Sequence, residues 1–459
     1  MSLHITDDTR QLKQDSIFLR TPQNEEFMES LPPNIRIIER DELTDYFKTD
    51  IKIIGITGTN GKTTTAAAIY SVLLDMGYKV ALLGTRGMFI NDVRRKPKGL
   101  TTPSLLELYE DIDVAATLGC DFFVMEVSSH AIKQERIYGL NFCLKILTNI
   151  TSDHLDYHKT WEDYAKTKLQ FLQSGECPKI INLDDKSGAS MRFYPHVLMY
   201  GVESKGNLSV NAYGLQDGIF AQINLRLHKQ KDSKQYDDIS KRECVLESEL
   251  FGLFNLYNLM AATLAIHAIT NKDLQTICTY IKNFGGVSGR MEIVSKQPLV
   301  IVDFAHTTDG MQQVFEAFKT RNISVVFGAG GDRDVSKRQK MGACARLYAK
   351  NIYITNDNPR SENPLSIAQE IAKGVFNGVD TQEDIRENTQ YKLQLKGTAL
   401  NVQIVLDRAE AIRLALQELP KDWILLILGK GDENVQIFKD NEVHFSDKEC
   451  VQTILNSNY

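Results

Sequence analysis

One stretch restricts the fold of this chain more than any other: IKIIGITGTNGKTTTAAAIYSVL, residues 51–73. Residues 51–56 read as a buried strand, and a helix follows from about Thr63 to Met76, stopped near Gly77. Between them, Gly55, Gly58 and Gly61 let the backbone curl so that its N–H groups face inward. Such a curl at a helix N-terminus cradles phosphate oxygens. Lys62 supplies a full charge for the outer phosphates, and the Thr63 hydroxyl is placed for Mg²⁺. The spacing is G-x-x-G-x-x-G-K-T. Ile56 stands where the commoner nucleotide loop, G-x-x-x-x-G-K-[ST], has its first glycine. The alternative is a plain glycine turn, but strand, loop, lysine, hydroxyls and helix all agree on a nucleotide.

Short apolar runs then alternate with helical stretches. Strands are predicted at 80–83, 122–127 and 144–150. A second series has strands at 299–304, 323–327, 352–355, 402–406 and 424–428, and helices near 311–319, 337–349, 365–376 and 409–416. This alternation predicts an α/β fold with mostly parallel sheets covered by helices, and ligands beyond the carboxyl ends of the strands. At roughly 150 residues per domain the 459 residues suggest about three domains. We expect boundaries at 1–48, 49–288 and 289–459, the first a small α/β unit leaning on the rest. The polar run 228–242 reads as a solvated hairpin tip or loop.

A net charge of -6 leaves no broad basic field for a nucleic acid. The N-terminus lacks an apolar signal core, and no stretch approaches the ~20 apolar residues that span a bilayer. The seven cysteines are scattered and never form Cys-x-x-Cys, which predicts reduced thiols in a cytoplasmic enzyme.

Further motifs follow the loop in order: TTPS at 101–104, MEVSSHA at 125–131, LTNITSDHLDYH at 147–158, FNLYN at 254–258, GRME at 289–292, DFAHTTDG at 303–310, GAGGDRD at 328–334, DNPR at 357–360 and GKGDE at 429–433. Together with GTNGKTT at 58–64, this set resembles the Mur ligases, and among them the MurE type. The resemblance implies a three-domain fold: an N-terminal UDP-binding unit, a central ATPase and a Rossmann-like C-terminal domain. It implies an ATP- and Mg²⁺-dependent monomer that activates a carboxylate of a UDP-muramoyl dipeptide and joins an amino acid to it, with no nucleic acid or membrane partner.

Residue by residue, the resemblance puts Gly58, Thr59, Asn60, Gly61, Lys62, Thr63 and Thr64 around the ATP phosphates, with Asn255 and Asn258 on the adenine side. Arg290, Asp303 and His306 resemble residues that close over ATP. Glu126, beside Thr63, and His154 resemble Mg²⁺ ligands, whereas Asp156 and His158 can equally serve only to shape the turn. The family carries a lysine, on the helix after DHLDYH, that takes up CO₂ as a carbamate and binds the second Mg²⁺. The count places Lys168 there, with Lys166 the competitor about 200° round the helix. Thr101, Thr102, Ser128, Gln134 and Arg136 resemble residues holding the UDP-muramoyl dipeptide, and Thr9 with Arg10 resembles the uridine motif. The family is usually about twice as long at its N-terminus, so some uridine contacts are expected to be supplied differently.

DNPR is the form the resemblance ties to meso-diaminopimelate. That diamino acid carries a carboxylate on its distal carbon, which the two-pronged guanidinium of Arg360 can grip; lysine offers nothing there. An unpaired buried arginine would penalise lysine. Asp357, Asn358, Pro359, Arg333, Gly429 and Glu433 resemble the remaining contacts, with Glu433 suited to the distal ammonium group. The rivals are a folylpolyglutamate synthase, which should not carry DNPR with GGDRD, and a GTP-dependent switch protein. The nearest thing to the guanine motif N-K-x-D, Asn271-Lys272-Asp273, has the wrong spacing.

Overall fold

The computed structural model describes residues 4–151, 158, 160–226, 243–378, 386–395 and 398–457. The chain divides into two compact units. The first comprises Met1–Gly214, Ile219–Glu249 and Asn255–Gly285; the second comprises Leu215–Gly218, Leu250–Phe254 and Gly286–Tyr459.

In the first unit, β1 (His4–Thr6), β2 (Ser16–Leu19) and β3 (Arg36–Ile38) form a parallel sheet in that order. Its apolar face (Ile17, Leu19, Ile38) with Leu43 is completed by Leu105, Leu106 and Tyr109 from a later helix. Three short strands cannot close a core alone, which is why this segment leans on its neighbour.

The large sheet of the first unit contains β4 (Lys52–Thr57), β5 (Val80–Gly84), β6 (Gly87–Ile90), β7 (Val93–Lys96), β8 (Phe122–Glu126), β9 (Phe142–Leu147), β10 (Lys179–Asn182), β11 (Val197–Gly201), β12 (Leu208–Gly214), β13 (Ile219–Leu225) and β14 (Glu243–Ser248). The order is β14-β13-β12-β11-β10-β9-β4-β8-β5-β6-β7. From β12 to β5 the pairing is parallel, and an antiparallel hairpin extends each end. The central strand β4 is buried from Ile53 onward, as a strand covered on both faces must be. Gly55 is required there, because a Cβ would lie 2.6 Å from the Phe142 ring and 2.7 Å from that of Phe171.

Helix α1 (Lys62–Asp75) starts directly from the loop and ends as expected. Gly77 takes φ 89°, and the amides of Gly77 and Tyr78 return to the carbonyls of Leu74 and Leu73. Three more helices position the site: α2 (Leu105–Thr117), α3 (Ser129–Lys133) and α4 (Trp161–Gln173). The apolar helix α5 (Leu253–Thr270) corrects one expectation. By length and composition it could cross a membrane, yet 61% of it is buried inside the protein, so it is a core helix. The Asn271-Lys272-Asp273 run is the turn after α5, where Asp273 caps the next helix.

The second unit has β15 (Glu292–Lys296), β16 (Leu299–Asp303), β17 (Ile323–Phe327), β18 (Asn351–Ile354), β19 (Thr389–Leu395), β20 (Thr398–Ile404) and β21 (Ile424–Leu428) in the order β15-β16-β21-β17-β18-β20-β19. The five inner strands are parallel and the two edge strands antiparallel. Helices α6 (Thr308–Ala317), α7 (Ser336–Tyr348), α8 (Pro364–Phe376), α9 (Arg408–Gln417) and α10 (Asp447–Ser457) accompany it.

Two further expectations are corrected. The strand expected at 144–150 ends at Leu147, because residues 148–151 turn over the glycine loop. The cysteines, scattered in sequence, are not all apart in the fold: Cys244 on β14 and Cys278 lie side by side. The 228–242 run, like His154 and Asp156, lies outside the described residues; the strands that flank it, β13 and β14, pair antiparallel.

Candidate active site

The glycine loop lies at the carboxyl end of β4 and is held by the segment after β9. The Thr59 amide donates to the Asn149 carbonyl (2.8 Å). The Asn60 amide donates to Asn149 Oδ1 (3.0 Å), and the Thr148 hydroxyl donates to the Asn60 carbonyl (2.6 Å). These bonds explain Gly58, which takes φ 150°: a Cβ there would stand 1.9 Å from Thr148 Oγ1. Gly61 takes φ 83°, and its Cβ would meet Asn258 Oδ1 at 2.2 Å. Asn258 is therefore packed on the loop and the start of α1, and its Nδ2 donates to Asn255 Oδ1 (3.1 Å).

Lys62 and Lys168 converge on this loop. Lys62 Nζ donates to the carbonyls of Gly58 (2.8 Å) and Thr59 (2.9 Å). Lys168 Nζ, from α4, donates to the same Gly58 carbonyl at 3.0 Å. The residue is 1% exposed, and its ammonium lies over the Tyr164 ring. Its competitor Lys166 is exposed, because α4 buries Tyr164, Ala165, Thr167, Lys168, Phe171 and Leu172 and turns Lys166 outward. His158, also buried, is near Lys168; burial holds its imidazole below the usual pKa against the pull of Asp163.

Glu126 ends β8 and is 2% exposed. Thr63 Oγ1 donates to its Oε2 at 2.9 Å, and the Thr85 amide donates to its Oε1 at 3.0 Å. A carboxylate and hydroxyls make an all-oxygen donor set of the kind Mg²⁺ takes, beside a phosphate loop. Among the described residues no group of three or more His, Cys, Asp or Glu could by itself hold a metal, so at this point the ion would need ATP oxygens and water to complete its shell.

Next to Glu126 the structure brings together the residues expected on the muramoyl side. Thr102 Oγ1 donates to the Glu126 carbonyl (2.9 Å) and accepts from the Ser128 amide (3.1 Å). Arg136 Nη1 donates to the Thr102 carbonyl (2.8 Å), and its Nε and Nη2 donate to Gln134 Oε1. Thr101 and Thr85 share a hydroxyl bond of 3.0 Å. Thr9 stands apart in a short turn of the N-terminal segment, where both Asp8 oxygens hold Arg10. Among the described residues no hydrogen bond links Thr9 to the Thr102 cluster.

The second unit gathers its own site at the ends of β16, β17, β18 and β21. Arg290 lies over the Phe304 ring (4.4 Å), and His306 Nδ1 bonds the Phe304 carbonyl (2.9 Å). Asp303, buried, accepts from the amides of Met291 and Ala305, and burial raises its pKa against the pull of Arg290. Arg333 and Arg360 flank Gly330, where a Cβ would stand 3.0 Å from Arg360 Nη1 and 3.6 Å from Arg333 Cγ. Gly429, at φ 112°, lies against Asp357: a Cβ there would meet Asp357 Oδ2 at 2.6 Å. The Asn358 carbonyl accepts from the Gly331 amide, which with Pro359 fixes the turn into Arg360. Asn358 Nδ2 donates to Glu433 Oε2 (2.9 Å).

The expectation of a buried Arg360 is corrected in degree. It is half-buried at φ 50°, and its Nη1 donates to the Gly331 carbonyl at 2.7 Å. The residues that sequence reasoning missed hold these loops from behind. Lys430, fully buried, donates to Asn358 Oδ1 (3.1 Å), Glu433 Oε2 (3.1 Å) and the Val435 carbonyl (2.6 Å). Arg338 on α7 grips Glu362, which in turn accepts from the Asp332 amide and so braces GGDRD against DNPR. Lys430 lies inside GKGDE, so that motif was its available signal; nothing adjacent in sequence marks Arg338.

Known proteins resemble this chain along most of its length. Residues 56–266 match the family model for the Mur ligase middle domain, and residues 289–431 that for the Mur ligase, glutamate ligase domain. The UDP-N-acetylmuramoyl-L-alanyl-D-glutamate--2,6-diaminopimelate ligase of Wolinella succinogenes is 51% identical over 453 residues, covering 98% of this chain and 96% of that one. The protein of the same name from Helicobacter hepaticus is 48% identical over 95% of this chain and 89% of its own. A solved structure of a UDP-N-acetylmuramoyl-L-alanyl-D-glutamate--2,6-diaminopimelate ligase superposes with a TM-score of 0.68 at 26% identity, covering 99% of this chain and 95% of that one. The chain belongs to the Mur ligase family, and within it to the MurE type.

Proposed function

We propose that the chain is an ATP-dependent ligase that adds meso-diaminopimelate to UDP-N-acetylmuramoyl-L-alanyl-D-glutamate, in the cytoplasmic synthesis of peptidoglycan precursors. The observation that carries the amino-acid assignment is the coupling of Arg360 and Glu433 through Asn358 on adjoining loops, with Arg333 beside Arg360. The far end of meso-diaminopimelate bears a carboxylate and an ammonium group together, and a guanidinium with a carboxylate is the matching pair. Gly429, Asp357 and Pro359 shape those loops.

The reaction proceeds in two transfers. The ATP γ-phosphoryl group passes to the dipeptide carboxylate, giving ADP and an acyl phosphate. The amine of the diamino acid then attacks the acyl carbon, and phosphate departs with the amide formed. Little covalent work falls to the protein, so positioning and charge dominate. In our reading Gly58, Thr59, Asn60, Gly61, Thr64 and Lys62 hold the phosphates, with Asn258, Arg290, Asp303 and His306 completing the nucleotide site. Thr101, Thr102, Ser128, Gln134, Arg136 and Thr9 hold the UDP-muramoyl dipeptide. Thr63 and Glu126 would hold one Mg²⁺, and Lys168, as a carbamate, a second with His154. Bound there, the ions supply charge neutralisation at the phosphoryl oxygens. The carbamate is supported by the crowding of two ammonium groups at one carbonyl: Lys62 and Lys168 lie within about 6 Å of each other, and converting one to an anion removes their repulsion.

Phosphate release from ATP is expected to require both the UDP-muramoyl dipeptide and meso-diaminopimelate. Turnover unchanged without the muramoyl substrate would overturn the ligase reading, and comparable turnover with L-lysine the choice of amino acid. Gly61→Ala is expected to raise the KM for ATP at least about tenfold, through the strained backbone and the clash with Asn258. A wild-type KM in that variant would remove Gly61 from the nucleotide site.

A further inference from the structure

The second unit buries an arginine that the reaction does not use. Arg408 is the first residue of α9 and is 1% exposed. Its Nε and one Nη donate to both oxygens of Asp447, at 2.7 and 2.8 Å, and Asp447 is fully buried at the start of α10. The fork's remaining bonds leave the pair. Nη1 donates to the carbonyl of Asn356 (3.2 Å), and Nη2 to the carbonyl of Leu428 (3.0 Å). Asn356 immediately precedes Asp357-Asn358-Pro359-Arg360, and Leu428 immediately precedes Gly429 and the turn to Glu433.

Leu428 ends β21 and Asn356 follows β18, and these two strands are not neighbours. Strand β17 lies between β21 and β18, so no ladder bond joins those two strands; farther out the loops meet where Asn358 bonds Lys430 and Glu433 and the Arg360 amide bonds the Ile437 carbonyl. A guanidinium can bridge that gap because its donors form a rigid planar fork. A pair needed only for stability could be replaced by apolar side chains at little cost. Its other donors would have no reason to end on the two carbonyls that lead into the amino-acid loops.

We infer that Arg408, docked by the C-terminal helix through Asp447, is a positioning residue that sets the spacing of the two loops gripping the amino-acid substrate. This rests on the reading of those loops as the diaminopimelate site. Docking of α10 is thereby linked to amino-acid affinity, although the helix itself supplies none of the site residues assigned above.

The test is steady-state phosphate release with each substrate varied in turn, alongside thermal melting. Removing one partner alone would strand a buried charge, so the main variant replaces both, Arg408→Met with Asp447→Leu. It is expected to melt near the wild type, to raise the KM for meso-diaminopimelate at least tenfold, and to leave the KM for ATP within twofold with most of kcat retained at saturation. Arg408→Lys, which keeps the charge but not the fork, should fall between. If the double variant does not fold, Asp447→Asn loosens the fork while keeping an acceptor, and a rise of about threefold is expected in the same KM. An unmoved KM for the amino acid in a folded variant overturns the inference. So does a parallel loss in both KM values and kcat, which is what general damage produces. A wild type whose phosphate release ignores meso-diaminopimelate sinks the functional reading instead, which separates the two failures.

Discussion

Lys168→Ala is expected to lower turnover by about a thousandfold or more, and short carboxylates such as acetate or propionate are expected to restore part of it. The side chain is 1% exposed and reaches the Gly58 carbonyl, 3.0 Å away, at the centre of the phosphate loop. As an ammonium it would repel Mg²⁺; as a carbamate it presents the anionic oxygens that a hard cation binds. Alanine favours the helix, and the space left by a lysine stem has room for a small acid. Partial rescue is therefore the informative measurement, because a carboxylate replaces the lost oxygens and does nothing for a misfolded chain. Lys166→Ala on the exposed side of α4 should behave as wild type and serves as the control. Full activity in Lys168→Ala would remove this residue from the site. A folded, inactive variant that no carboxylate rescues would argue against the carbamate and leave only a lysine that props the loop.

The choice between Lys166 and Lys168 shows what a sequence reveals unaided. Tyr164, Lys168, Phe171 and Leu172 recur at helical spacing, so the burial of Lys168 was legible from periodicity. The inner strands of the second unit were legible for the same kind of reason: β17 and β21 are unbroken apolar runs between turn residues, and both keep their expected bounds. The strand at 144–150 was misread past Leu147 because Ile150 extends the apolar pattern. Thr148 and Asn149 spend their polar groups on the phosphate loop about 90 residues earlier, and nothing local announces that. Of the hairpins that extend the large sheet, the run 228–242 was read as a hairpin tip or loop without its flanking strands, and β6–β7 was missed, because these strands are short or face solvent on one side. Asn258 was assigned by resemblance to the nucleotide, but its packing against Gly61 is a contact across nearly 200 residues that only the folded chain reveals. Lys430, Arg338 and Arg408 act from behind the site. A buried cation that shapes a loop has the same letter in a sequence as one that faces water.

Arg360→Ala is expected to lower kcat/KM for meso-diaminopimelate by about a hundred- to a thousandfold while changing kcat/KM for L-lysine little, so that the preference between them collapses. The estimate follows from where the guanidinium sits. A fully desolvated charged pair loses several kcal/mol when one partner is cut away, but Arg360 is half-buried, and water screens part of what it offers. That argues for the lower part of the range. Its backbone is held at φ 50° by the Pro359 turn and by its amide's bond to the Ile437 carbonyl, so the fork is oriented before the substrate arrives. Arg360→Lys is accordingly not conservative. It keeps a charge but loses the two-pronged geometry and the bond to the Gly331 carbonyl, and it should recover no more than about a tenth of the lost efficiency. The loss should appear mainly in KM, since the distal carboxylate lies several bonds from the reacting amine and is gripped equally before and during its attack. Product mass from a mixture of the two amino acids reads the preference directly. If Arg360→Ala keeps the wild-type preference for meso-diaminopimelate over L-lysine, the discrimination lies elsewhere on these loops, with Arg333 the next guanidinium to test.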